Sequence, residues 1–149
     1  MTIHWNCLPF DTLPPLILYD MLRLRSEVFV VEQNCPYQDI DRRDLDAFHL
    51  LGHNEAGELV AGARLFGPGQ YYEEASIGRV VVAQPYRNYG LGRELMRQAL
   101  AYSQALFGPQ PNKIGAQKYL ERFYNDFGYE QCGPLYIEDG IPHIPMRRA

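Results

Sequence analysis

The chain is poor in the features that mark several protein classes. Its 149 residues contain three cysteines, Cys7, Cys35 and Cys132, an odd number at wide spacing. No C-x-x-C pair occurs, so neither a zinc knuckle nor a dithiol redox centre is indicated. Three reduced thiols in a cytoplasmic protein are expected. No apolar run approaches the ~20 residues a membrane helix needs. The opening MTIHWNCLPFDTL lacks the basic-then-apolar order of a secretion signal. Dense Lys/Arg blocks are missing too, and a formal net charge of −4 argues against binding nucleic acid through its phosphates. The acids between residues 32 and 46 lack the glycine and closing glutamate of a calcium loop, so no metal is expected.

What is present suits one packed domain over residues 1–149. Hydrophobic residues make up 46% and charged residues 21%, enough apolar material for a core and too little charge for disorder. Repeats, linkers and low-complexity stretches are missing. Ile3–Cys7 reads as a short strand. Pro14 and Pro15 suit the first turn of a helix whose apolar face carries Leu18, Met21, Leu22, Val28 and Phe29. Arg25 falls on that face; a buried ion pair with Glu32 or an acceptor-site role accounts for it equally well. Asp39, Asp41 and Asp44 read as a solvated acidic loop. Ala47–His53 and Leu59–Phe66 form a hairpin. Ser76–Val82, with Val80-Val81-Val82, reads as a strand buried on both faces. A helix from about Gly90 to Phe107 carries the stripe Leu95, Met96, Ala99, Leu100, Leu106 and Phe107, and Gly108-Pro109 ends it. Lys113–Ala116 is a strand and Tyr119–Phe127 a helix. Tyr129–Cys132 and Ile141–Met146 are closing strands, with Asp139-Gly140 as turn signal. The order gives an α+β, or mixed α/β, fold.

Chemistry concentrates at the junction of Ser76–Val82 with the long helix. There the chain reads Arg87-Asn88-Tyr89-Gly90-Leu91-Gly92-Arg93. Glycines let backbone approach a ligand closely. The first N–H groups of a helix lack partners and carry partial positive charge, which makes an anion site. Arg87 and Arg93 bracket it with groups suited to phosphate oxygens. A Walker loop would need Lys-Ser/Thr after Gly92, and a dinucleotide fingerprint a small residue at Leu95; neither fits.

The pattern Arg87-x-x-Gly90-x-Gly92 at this position resembles the acyl-CoA loop of the GNAT superfamily of N-acetyltransferases. Ile77–Val82, Lys113–Ala116, Gln117 and Phe123–Tyr129 resemble the segments that accompany it, so the likeness runs from about Ala47 to Met146. Arg25–Gln33, Pro36-Tyr37, Asp39, Asp41 and Glu138–His143 are similar to the ElaA-type branch. The resemblance implies a GNAT fold: a mixed, mostly antiparallel sheet with a splayed central strand pair flanked by helices. It implies acetyl-CoA as cosubstrate, its pantetheine arm on backbone of Val80, Val81 and Val82, its pyrophosphate on Arg87–Arg93, and Gln117 facing it. It further implies direct attack by a primary amine in a ternary complex. Tyr124 is implied as the acid that protonates the leaving thiolate, against the plainer reading of a core aromatic. For the base, Glu32, His143, His49 and Glu73 stay open, Glu32 and His143 also as acceptor-site residues. His4 and His53 read as surface or packing residues. The acceptor is a small-molecule, peptide or protein amine, and homodimerisation is left open. Two other readings stand beside this: a CoA-binding sensor without turnover, and a relative of acyl-homoserine-lactone synthases.

Overall fold

Local sequence sets most element boundaries in the computed structural model, which describes residues 2–149. Among them, eight strands and three α-helices occur in the order β1 (His4–Pro9), α1 (Pro15–Arg25), β2 (Phe48–His53), β3 (Leu59–Phe66), β4 (Ser76–Val82), α2 (Leu91–Phe107), β5 (Asn112–Gln117), α3 (Glu121–Asn125), β6 (Glu130–Gln131), β7 (Tyr136–Glu138) and β8 (Ile141–Arg148). Pro15 occupies the first turn of α1, where its missing N–H costs nothing. The helix does not run straight through Phe29 as the periodicity predicts. It passes into a π-helical turn, Ser26–Glu32, which shifts the phase of the following side chains. Among the described residues no helix is long and apolar enough to cross a membrane.

Strands β1 to β4 form an antiparallel sheet in chain order. A second sheet has the order β5-β8-β6, with β7 also paired to β8. The Asp139-Gly140 turn therefore joins β7 to β8, and β7 is a strand the sequence reading does not contain. The two sheets meet where β4 and β5 begin. Ala75 bridges Asn112 in the parallel sense, and the Lys113 N–H donates to the Ala75 carbonyl at 2.9 Å. Beyond this point no ladder joins β4 to β5 among the described residues, and the strands splay.

Strand β4 carries a bulge farther along, past the junction with β5. Gly62 pairs with Val81 and Arg64 with Gly78, so Ala63 alone faces both Arg79 and Val80. Arg79 takes a φ of 48°, in the left-handed region a side chain rarely adopts. Of the three valines only Val81 is buried; Val80 and Val82 are half-buried. This corrects the expectation of a strand covered on both faces: β4 is the last strand of its sheet, and its outer edge borders open space.

One core lies under both sheets. Leu91, Leu95, Met96 and Ala99 of α2 pack on Leu50, Val60, Leu65 and Ile77, and on Ile114, Ile144 and Met146 of the second sheet. The buried stripe continues from Ala99 to Ser103, one turn on, so Leu106 is left 40% exposed and not in the core as expected. Phe107 instead meets Phe48 edge-on at 6.0 Å between ring centres.

The other face holds the largest departure from expectation. The acidic loop is not solvated. Asp39 and Asp44 are buried with Arg25 and Arg64. Arg25 donates to Asp39 at 3.0 Å and to Asp44 at 2.8 Å. Arg64 reaches Asp41 at 2.8 Å and Asp44 at 3.0 Å. Arg79, from the bulge, lies 2.7 Å from Asp39 and donates to the Asp39 carbonyl at 3.1 Å. Arg25 thus pairs with loop aspartates and not with Glu32. Three cations and three carboxylates balance, which makes their burial tolerable. Removing one member leaves an uncompensated buried charge. Asp44→Asn is expected to cost about 3–5 kcal/mol, read from urea unfolding. The arginines also hold the Asp41 carboxyl near a pKa of about 2, below its usual 3.8. A carboxyl depressed in the folded state stabilises fully above its ordinary pKa. Unfolding midpoints should therefore hold down to about pH 5 and fall steeply as pH drops towards 2.

Candidate active site

The splay between β4 and β5 opens a cleft of about 970 Å³. The β4 edge supplies one wall through Val80, Val81 and Val82. The start of α2 supplies the floor through Gly90, Leu91, Gly92 and Arg93, with Arg87 and Asn88 before it. Gln117 lies at the end of β5, and Tyr124 enters from α3. Glu32 reaches the cleft from the π-helical turn and His143 from β8. One residue of the loop motif stays out: Tyr89 is 72% exposed and does not line the cleft.

The loop before α2 has the backbone an anion site needs. Asn88 and Gly90 take φ values of 70° and 76°, which turn the chain so that α2 begins facing the cleft. The Glu94 N–H is bonded to the Gly90 carbonyl, while the N–H groups of the first turn precede any helical partner. A Cβ on Gly92 would meet nothing nearer than the Phe123 ring at 3.9 Å. Space for a ligand therefore lies over the helix start. The two arginines are already counter-charged. Arg93 donates to Asp126 at 2.8 Å. Arg87 forms a bidentate pair with Glu32 at 2.5 and 2.8 Å and donates to the Val82 carbonyl at 3.0 Å. The Arg87 hydrogen bonds lower the pKa of Glu32, which keeps it an anion committed to the loop.

Tyr124 is 8% exposed and wedged edge-on between Phe123 and Tyr129, with ring centres at 5.2 and 5.9 Å. Burial pushes its phenol up to about 12. Two of the candidate bases lie elsewhere. His49 is buried and bonds the Asp44 carbonyl at 2.9 Å, and burial lowers its pKa. Glu73 is exposed outside the cleft. The structure adds residues that no motif marked: Tyr72 and Tyr136, whose hydroxyls both approach Gly115, and Arg64 from the charge network. Only an arginine within an otherwise apolar strand, Arg64, hinted at them.

The comparisons with known proteins agree with this geometry. Residues 21–149 match the model of the acetyltransferase (GNAT) domain. The chain belongs to the GNAT acetyltransferase family. It is 44% identical to ElaA of Escherichia coli over 148 residues, covering 98% of this chain and 96% of that protein. The crystal structure of E. coli ElaA superimposes with a TM-score of 0.92 at 43% identity, covering 99% and 100% of the two chains. An acyl-CoA N-acyltransferase from Pseudomonas aeruginosa gives 0.92 at 42% identity, covering 98% and 99%. The acyl-homoserine-lactone synthase LasI gives 0.79 at 15% identity, covering 98% and 89%, a likeness of fold alone. The expected GNAT fold, with its splayed strand pair, is thus present.

Glu32 and Arg87 tie the π-helical turn to the loop. Glu32→Ala should speed amide exchange in residues 87–90 by about tenfold or more, measured by hydrogen exchange, with little change in the β-sheet core.

Proposed function

We propose that the protein transfers the acetyl group of acetyl-CoA to a primary amine by direct attack within a ternary complex. The observation that carries this reading is the open edge of β4, ending on the unpaired N–H groups at the start of α2. A thioester arm terminating in a pyrophosphate needs both: extended backbone to pair with and an anion site beyond it. On this reading the backbone of Val80, Val81 and Val82 holds the arm. Residues Arg87 to Arg93 hold the pyrophosphate, chiefly through main-chain N–H groups, since both arginines have carboxylate partners. Gln117 closes the opposite side. When bound, acetyl-CoA supplies the activated acyl carbon; the protein's own residues supply position, a dry wall and protons.

Tyr124 is the group we assign to the sulfur. Its raised pKa keeps the phenol protonated at neutral pH. Because that value stands well above a thiol's ~8.5, its role is a hydrogen bond that strengthens as charge develops on sulfur, the proton following only as the bond breaks. A non-catalytic CoA sensor would have no use for a phenol lodged between rings at this point. The acceptor is an amine of a small molecule, peptide or protein.

Three outcomes test the reading. Gly90→Trp should weaken acetyl-CoA binding by at least about tenfold in calorimetry; unchanged binding removes the loop assignment. Tyr124→Phe should lower kcat by about 100-fold with acetyl-CoA affinity nearly intact. The phenol, with its pKa near 12, should cause no loss of kcat between about pH 8 and pH 10. A fall in that range that disappears in Tyr124→Phe would contradict the assignment.

A further inference from the structure

The second sheet presents two faces at the mouth of the splay. Ile114, Ala116, Ile144 and Met146 point into the core. Alternation along paired β5 and β8 then puts Gly115, Gln117 and His143 on the opposite face, with Gln117 directly beside His143. Tyr124 belongs to the core side. Both Tyr124 and His143 nevertheless border the same cleft.

The His143 ring is held in one tautomer. Its Nδ1 lies 2.7 Å from the Ile141 carbonyl oxygen. A carbonyl only accepts, so Nδ1 carries the proton and neutral Nε2 carries the lone pair. Tyr136 stacks on the ring at 5.5 Å between centres. The Glu138 carboxylate stands 3.7 Å from Nε2, close enough to stabilise an imidazolium but beyond a hydrogen bond. Near the ring stand the neutral Gln117 and the Tyr136 hydroxyl, whose pKa burial raises; Lys113, farther along the same face of β5, lies over the Tyr72 ring at 5.0 Å. Asp139, beside Glu138, adds negative charge at the rim. Of the four candidate bases, Glu32 is committed to Arg87, and His49 and Glu73 lie outside the cleft.

We propose that His143 Nε2 takes the proton from the acceptor's ammonium group, that Glu138 is the residue positioning this charge, and that the acceptor is therefore a primary amine that arrives as a cation on the face bearing Tyr72 and Tyr136. This rests on the acetyltransferase reading above. The ammonium gives one proton to Nε2 and becomes a neutral amine. Its nitrogen bonds the thioester carbonyl carbon as the C–S bond breaks. The sulfur leaves as a thiol on the proton of Tyr124, the surplus proton of the amide nitrogen restores the phenol, and the imidazolium returns its own to solvent.

The test uses the full chain, acetyl-CoA, a panel of primary amines with free-thiol detection, and nitrogen-15 NMR of the imidazole. In the wild type kcat/KM should rise with pH through one acid limb. His143→Gln should lower kcat/KM by about 100-fold and abolish that limb. Glu138→Gln, at an exposed site that tolerates the change, should raise KM for a cationic amine by about threefold with kcat nearly unchanged. NMR should find the neutral ring protonated at Nδ1. Retention of the limb in His143→Gln at near wild-type kcat/KM overturns the proposal, and so does a neutral ring protonated at Nε2. If no amine in the panel reacts, the NMR tautomer decides alone. Acetyl-CoA calorimetry separates the two readings: failure to bind defeats the acetyltransferase reading, whereas normal binding with a contrary His143 result defeats only this one.

Discussion

The group of three arginines and three aspartates, four of them buried and Arg79 and Asp41 at its half-buried edge, sets the geometry on which the cleft depends. Arg79 sits in a strained backbone conformation at the bulge of β4, and its guanidinium is anchored by Asp39 and Asp41. Without that anchor an arginine at a φ of 48° would relax towards ordinary extended backbone, and β4 could pair further along β5. The same aspartates draw the 39–44 loop across the sheet and fix the end of α1 through Arg25. Charge balance matters here: each side chain is costly to bury alone and acceptable within the set.

A division of labour between the two faces of the sheets follows from this anchor. On the α2 and α3 side, apolar packing builds a rigid bed that carries the helix start and Tyr124. On the α1 side, the charge group and the π-helical turn build a polar wall. The arginines of the cleft are paired with carboxylates, so the cleft is not a general anion trap. Its anion preference is confined to the main-chain N–H groups at the start of α2. The rim near Glu138 and Asp139 is negative. On the proposed reading, a polyanionic cosubstrate and a cationic acceptor would approach one cleft from different sides without competing for the same charges.

Local patterns made much of this legible. Turn residues and periodicity located β2, β3, β4 and α2 within a residue or so, because each depends mainly on its own neighbours. The glycine loop before α2 was also legible, since glycines at 90 and 92 act through local backbone conformation. Three things were not. β7 is three residues long and exists because β8 lies beside it. The bulge at Arg79 needs the register of β3 to be seen. The acidic loop looked solvated because charge spacing along a chain says nothing about which arginines will face it.

By itself, then, the sequence determined the fold class, the placement of the glycine loop at a helix start, and the burial stripe of α2 as far as Ala99. These follow from interactions within a few residues, which recur wherever the same residues recur. Only the tertiary structure decided that Arg87 answers to Glu32 across 55 positions, that Arg25 answers to Asp39 and Asp44, and that His143 meets the cleft with a free Nε2. Each of those outcomes depends on strands and loops distant in the chain arriving at one point. Ion pairing and tautomer choice are fixed by what is then nearest, which no local pattern records.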